Sequence, residues 1–381
     1  MLLNRLKFII GLFVLLGISA NAQQKFQKTL VVNGRIQADY EFLQRENSNE
    51  KFNGFEFRRI HVSFAGKLSP SLKYKIETNF GDSKIGIRDV YIKYVNKKFG
   101  NFAIGSMAEP TGLDMATSSK YIPFFERAMI TSMQNFRWGT GLHYENYSLL
   151  DSRLSLQMSM TNNGASTEGF KDAHLEDGNN YIFRVAGTPF LNKEANQLLH
   201  VGFNFASRPY KDLKFRPENH MGDKYSFAFP DATNRQEMGY EIASTFGGIS
   251  LQAEYKTQSL KNNLDKDYTF NGYYVMGSFF VTGEHRPYKN SAFARVKPKK
   301  DIDNGGFGAL ELLARYSSMK ASQDVVDANP TTAGQVNNIS LGFNWYLTSH
   351  TRIMYNYIIT DDNDSVLGNL SGHLFRVALD F

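Results

Sequence analysis

Cysteine is absent from the 381 residues, so the chain can build no disulfide, thiolate ligand or thiol nucleophile. A small secreted scaffold stapled by disulfides is excluded on length as well. Long apolar runs are scarce. The run from Phe8 to Leu16 follows Arg5 and Lys7 and leads into a small-residue stretch ending Ala20-Asn21-Ala22. It falls short of the roughly 20 residues a membrane helix needs and ends in a cleavage-like site. Residues 1–22 therefore read as a secretory signal removed before Gln23, leaving 23–381 as a single domain. No later run is long enough to span as a helix, so membrane residence would have to be as a β-barrel. One-sided charge is lacking too. The formal charge of +6 falls to +4 once Arg5 and Lys7 leave with the signal. With no lysine-rich tail or zinc spacing, neither a nucleic-acid partner nor a cofactor is expected. Length alone would still allow a soluble two-domain protein.

What the chain does have is alternation. Leu30, Val32, Ile36, Ala38, Tyr40 and Phe42 share one phase, and Asn33, Arg35, Gln37, Asp39 and Glu41 share the other. A period of two is a strand. The pattern returns with Ile60, Val62 and Phe64 against Arg59, His61, Ser63 and Lys67. After the turn Ser69-Pro70-Ser71 come Leu72, Tyr74, Ile76 and Phe80 against Lys73, Lys75, Glu77 and Asn79. Val90, Ile92 and Tyr94 oppose Asp89, Tyr91 and Lys93; Phe102 and Ile104 oppose Ala103 and Gly105; Trp138, Leu142 and Tyr144 oppose Arg137, Gly139, His143 and Glu145. Leu154, Leu156, Met158 and Met160 oppose Arg153, Ser155, Gln157 and Ser159. Further strands are expected near 181–189, 198–206, 236–246, 249–257, 270–280, 307–317, 338–347, 351–359 and 373–381, for a total of sixteen.

Alternation also suits a soluble sandwich, whose charged face meets outside water. Three features favour a transmembrane antiparallel barrel. The tight links Ser69-Pro70-Ser71, Gly247-Gly248 and 347–350 alternate with long polar links at 108–135, 161–180, 207–235 and 318–337, as periplasmic turns alternate with external loops. Aromatic pairs at strand ends (Tyr144 and Tyr147, Trp345 and Tyr346, Tyr355 and Tyr357) suit interfacial girdles. The signal and the terminal strand ending on Phe381 agree with export to a Gram-negative outer membrane. In that strand Phe375, Val377, Leu379 and Phe381 point outward and Arg376, Ala378 and Asp380 inward, beside the first strand. The link 281–305 breaks the rhythm, being long where a short turn belongs, so 14 or 18 strands stay open.

Several runs resemble the phosphate-selective porin family, also called the porin O and P family. They are Gly54-Phe55-Glu56-Phe57-Arg58-Arg59, Lys73 to Phe80, Arg88-Asp89-Val90-Tyr91, Gly105 to Pro110 and Ser118 to Arg127. Asn271 to Ser278, Thr282 to Tyr288 and Glu311 to Ser317 extend the likeness over nearly the whole mature chain. The resemblance implies a 16-stranded homotrimeric channel that passes small inorganic anions across the outer-membrane lipid, constricted by an inward-folded third external loop. It places Arg58 and Arg59 in a paired-arginine segment, Lys120 and Arg127 in the loop, and Asp89 beside the anion path. The sequence departs from the family at Ala108, where several relatives carry lysine.

Phase adds its own expectation: Arg35, Arg59, Lys67, Lys73, Lys75 and Lys93 share the inner face of the first four strands, within reach of Lys120. Arg58 is one position out of phase, at the rim or at an irregular strand end. Ala103 and Gly105 suggest crowding where the loop meets the wall. Other readings are a general diffusion porin, a receptor or adhesin using its long loops, and a hydrolase drawing on His61, His143 and Ser155. Only Gln23 to Thr29 precede the first strand, which leaves no room for an N-terminal plug.

Overall fold

The structure, a computed structural model, describes residues 26–46, 50–81, 85–133, 138–163, 178–210, 212–362 and 365–381. The signal segment 1–22, Arg137 and most of the 161–180 link lie outside the described residues. Sixteen antiparallel strands close into one barrel. They are β1 (Thr29–Arg45), β2 (Lys51–Lys67), β3 (Leu72–Asn79), β4 (Gly86–Asn96), β5 (Gly100–Ala108), β6 (Trp138–Leu149), β7 (Leu154–Asn163) and β8 (Asn180–Asn192). The second half comprises β9 (Gln197–Pro209), β10 (Ala232–Phe246), β11 (Ile249–Asn262), β12 (Tyr268–Phe280), β13 (Ala309–Ala321), β14 (Gln335–Tyr346), β15 (Thr351–Asp361) and β16 (Leu370–Asp380). Among the described residues no helix is long and apolar enough to cross a membrane.

Strand β1 follows its alternation. On β1, Arg35, Gln37, Asp39 and Glu41 are buried inside, while Ile36 faces outward. Closure pairs β1 with β16, Arg35 opposite Asp380 and Asp39 opposite Arg376. The chain's last residue completes the seam: Gly34 N–H donates to the Phe381 carbonyl at 2.9 Å, and Phe381 N–H returns a bond at 3.2 Å. The Phe381 ring occupies the space a side chain at Gly34 would need, 2.4 Å from a Cβ there.

The link 281–308 is a genuine long connection on the short-turn end of a 16-stranded barrel, not a miscounted hairpin. It folds inward through a small hairpin pairing Tyr288–Lys289 with Ala292–Phe293. Asn290 and Ser291 at its tip both adopt positive φ, the conformation of a tight two-residue hairpin turn. The Arg184 guanidinium holds that tip through the Ser291 carbonyl at 2.9 Å, and Tyr288 pairs with His200 at 2.6 Å.

Two loop-end segments also enter the barrel. Residues 109–133 carry two short helices, α1 (Leu113–Ala116) and α2 (Met129–Ser132), and bond to the opposite wall. Phe125 N–H donates to Asn356 at 3.0 Å, and Asn344 and Arg376 donate to the carbonyls of Pro123 and Phe125. Gly112 (φ 113°) lets the backbone come so close to Glu254 that a Cβ would lie 2.2 Å from its carboxylate. At Gly272 a Cβ would lie 2.8 Å from Ile130, so this glycine is where α2 meets the wall. The segment 212–231 lays an aromatic hairpin (Phe215, Tyr225, Phe227) against α2 and the ends of β11–β14, forming the largest apolar cluster.

Some expectations change. Gly105 is crowded by β4, not by the loop: a Cβ there would lie 2.1 Å from the Val90 carbonyl. Tyr147 and Tyr346, expected in the girdles, turn inward. Tyr147 accepts from Gln157, and Tyr346 donates to Glu311.

Candidate functional site

A β-bulge explains the paired arginines. Gln37 stands opposite Arg59 and Ala38 opposite Phe57, leaving Arg58 as the extra residue. One inserted residue flips the phase. Phe55 and Phe57 therefore face outward before it, Phe64 after it, and both Arg58 and Arg59 point inside. Glu126 of the inward loop receives them. Arg58 donates to it through Nε at 2.7 Å and Nη2 at 3.0 Å, Arg59 at 3.2 Å, and the Arg376 guanidinium stands 3.6 Å away. Burial would raise the Glu126 carboxyl, but Arg58 and Arg59 outweigh it and hold it well below the usual carboxylate range.

A second irregularity follows, Ile76 opposite Val90 but Thr78 opposite Ile87, so Glu77 faces both Arg88 and Asp89. Asp89 accepts from Lys75 at 2.7 Å and from the Trp138 indole at 2.8 Å, and the Arg88 guanidinium lies 4.5 Å above that indole. Trp138 thus lines the interior, a correction to its expected outward phase. Glu77 in turn holds Arg35 at 3.2 Å and His61 at 2.7 Å.

These groups enclose a cavity of about 290 Å³ between the inward loop and the wall of β1–β6. Among the described residues Arg35, Arg58, Arg59, Lys75, Arg88 and Arg127 line it against two carboxylates, Glu77 and Asp89. Arg35 also lines a smaller space of about 30 Å³ toward the turn end, with Lys120, Arg295, Arg352 and Asp380. There Asp380 takes the Arg295 guanidinium on both oxygens, and Lys120 lies 3.4 Å from it. Burial acts to lower the Arg295 guanidinium's pKa, but Asp380 more than offsets it and raises it.

Six of the ten residues singled out from sequence share the larger cavity: Arg35, Arg58, Arg59, Lys75, Asp89 and Arg127. Arg127 spends its donors on the loop's own backbone, at the Asp114 carbonyl (2.9 Å) and the Thr117 carbonyl. Lys120 belongs to the turn-end space. Lys93 lies farther along, paired to Glu145 at 2.7 Å. Lys67 and Lys73 are Cα partners exposed at the turn rim, outside both spaces, because β2 and β3 carry them past the packed interior. Sequence reasoning missed Arg88, Glu126 and Arg295 as site residues. Arg88 and Glu126 sit inside the motif runs that carried the family resemblance, whereas nothing in the phase of 281–305 points to Arg295. The histidine and serine residues weighed for hydrolysis have separate partners: His61 holds Glu77, His143 holds Ser159, and Ser155 donates to the Ala186 carbonyl.

A closed 16-stranded barrel with an apolar outer belt, a polar interior and a loop folded across it defines an outer-membrane porin, a channel of the Gram-negative outer membrane. Residues 31–381 match the family described as phosphate-selective porin O and P, and the chain belongs to that family. It is 29% identical over 373 residues to Porin O of Pseudomonas aeruginosa, covering 86% of this chain and 82% of that one. An uncharacterised protein of Caulobacter vibrioides is 25% identical over 324 residues, 81% of this chain and 63% of that one. Among solved structures, an anion-selective porin from Comamonas acidovorans superposes with a TM-score of 0.62 at 12% identity, covering 93% of this chain and 100% of that one. The trimer form of OmpT from Vibrio cholerae gives 0.58 at 13% identity, with coverage of 93% and 100%.

Proposed function

We propose that the channel passes small inorganic anions, with phosphate-type oxyanions as the preferred class, through the cavity beside the inward loop and then past Arg35 into the turn-end space. The observation that carries this reading is the lining of the larger cavity, six cations against two carboxylates. An ion entering a narrow pore sheds water, and fixed donors must replace it without trapping the ion. Neighbouring carboxylates serve that need. Glu77, Asp89, Glu126 and Asp380 hold Arg35, Lys75, Arg58, Arg59 and Arg295, so these cations do not offer their full charge to the solute. Arg35, common to both spaces, is the hand-over point. The family's description and the anion-selective relative support the sign of the preference.

Reversal potentials in a KCl gradient across a planar bilayer test it. Anion preference that added phosphate inhibits supports the proposal. Cation preference refutes it, and anion preference indifferent to phosphate leaves a general anion porin. A silent barrel would favour a receptor or adhesin.

We further propose cleavage of residues 1–22 and assembly as a homotrimer through the β3–β5 wall, as the trimeric OmpT neighbour suggests. β3 has 8 residues and β5 has 9. At about 3.3 Å per residue and a tilt of roughly 45°, eight residues reach only about 19 Å, short of the ~25 Å apolar band of such barrels. A neighbouring protomer would cover that low wall. Intact mass and crosslinking between cysteines introduced on β3–β5 test both points.

A further inference from the structure

The wall opposite the proposed path holds an electrostatic arrangement the channel reading does not use. Arg208 on β9 and Arg235 on β10 are direct Cα partners across the ladder, and both side chains point inside. Arg208 is 0% exposed and Arg235 2%. Like charges directly opposite one another in a sheet destabilise it, and burial removes the water that would screen them. Guanidinium groups cannot escape by losing a proton.

The partners provided fall short. Arg208 gives Nη1 to Glu109, whose other oxygen is taken up by Thr161 at 2.7 Å. Among the described residues its Nε and Nη2, together with Nη1 and Nη2 of Arg235, are buried without a hydrogen-bond partner. On the adjoining strand β11, both side-chain polar atoms of Gln258 are also buried and unpartnered. Glu237, opposite Gln258, lies 3.8 Å from Lys256, itself fully buried. Lys256 lies between Glu237 and Glu254, so among the described residues Glu109 is the carboxylate hydrogen-bonded to the arginine pair. Buried donors at this density are normally satisfied.

We infer that Arg208 and Arg235, with the Gln258 amide, hold one small inorganic anion as a resident counter-charge inside the β9–β11 wall. The anion places negative charge between the two guanidinium groups and accepts from both forks, turning a repulsive pair into a three-centre bridge between adjacent strands. The site shares no residue with either space of the proposed path. Its ligand is a bound component of the wall rather than a solute in transit.

Crystals of the full-length mature protein grown with sodium bromide test this directly. An anomalous difference peak between the Arg208 and Arg235 guanidinium groups is expected, persisting as bromide is lowered, and inorganic phosphate should displace it if the site takes oxyanions. The peak should vanish in Arg235→Gln and remain in Arg58→Gln. If Arg235→Gln fails to fold, Arg235→Lys, which keeps the charge but loses the fork, should weaken the peak. Water without anomalous signal at this position, or a peak untouched by either Arg235 change, overturns the inference. An anion found here in a channel that proves cation-selective would refute the path and leave this site standing.

Discussion

Replacing Glu126 by Gln is the sharpest probe of the path, because opposing effects on stability and permeation are expected. Glu126 is the carboxylate on which Arg58, Arg59 and Arg376 converge. The substitution keeps side-chain size and removes one negative charge beside the cavity. For an anion roughly 6 Å away, a unit charge at an effective dielectric near 20 is worth about 3 kcal/mol. Screening at physiological ionic strength halves this to about 1.4 kcal/mol, roughly a ten-fold change in local anion occupancy. The chloride-to-potassium permeability ratio should therefore rise, and single-channel conductance should saturate at lower salt as anions linger. Stability should fall by about 2 kcal/mol. That is less than the 3–5 kcal/mol typical of breaking a buried pair, because Arg376 keeps Asp39 and Arg59 keeps Gln37. Reversal potentials and conductance over a KCl series provide the readout. Unchanged or reduced anion preference in a folded variant would show that permeating ions do not sense Arg58 and Arg59.

Arg58→Gln with Arg59→Gln should lower anion preference several-fold while preserving heat-resistant barrel mobility; a variant as anion-selective as the parent would remove both residues from the path. Gly272→Leu inserts a side chain where Ile130 already lies and should cost about 1–3 kcal/mol while displacing α2 and enlarging conductance. Unaltered conductance would mean α2 does not limit the pore. Because the folded-state Glu126 carboxyl is depressed, its contribution is fully present above the ordinary value near 4.3 and is lost as pH falls through the folded value. The stability gap between the parent and Glu126→Gln should stay level from about pH 8 to pH 5 and narrow only in stronger acid; a gap that closes near neutrality would contradict the geometry.

The barrel was legible because its cause is local. Period-two patterning chooses which side chains meet lipid, and the strands it marked all exist, several reaching farther than expected. β9, for example, runs over Gln197–Pro209 where 198–206 was expected. Arg35, Lys75 and Asp89 were placed on the inner face by the same rule. Arg58 stood one position out of phase, a sign of the irregularity, but only the pairing of β1 with β2 shows that a bulge turns both arginines inside. Trp138 was misplaced for a similar reason: its direction follows the Asp89 acceptor on another strand.

The sequence by itself determined the membrane-compatible sheet and the basic character of one wall, because alternation, turn chemistry and the family motifs are all written in neighbouring residues; the structure settled the strand number at sixteen. Only the tertiary structure decided which charges meet. Glu126 joins two arginines 67 and 68 residues away, Asp380 joins Arg295 from 85 residues away, and the 281–308 link turns inward to meet Arg184 and His200. Coulomb energy depends on distance in space, and in a closed barrel that distance is set by register and by which loops fold inside.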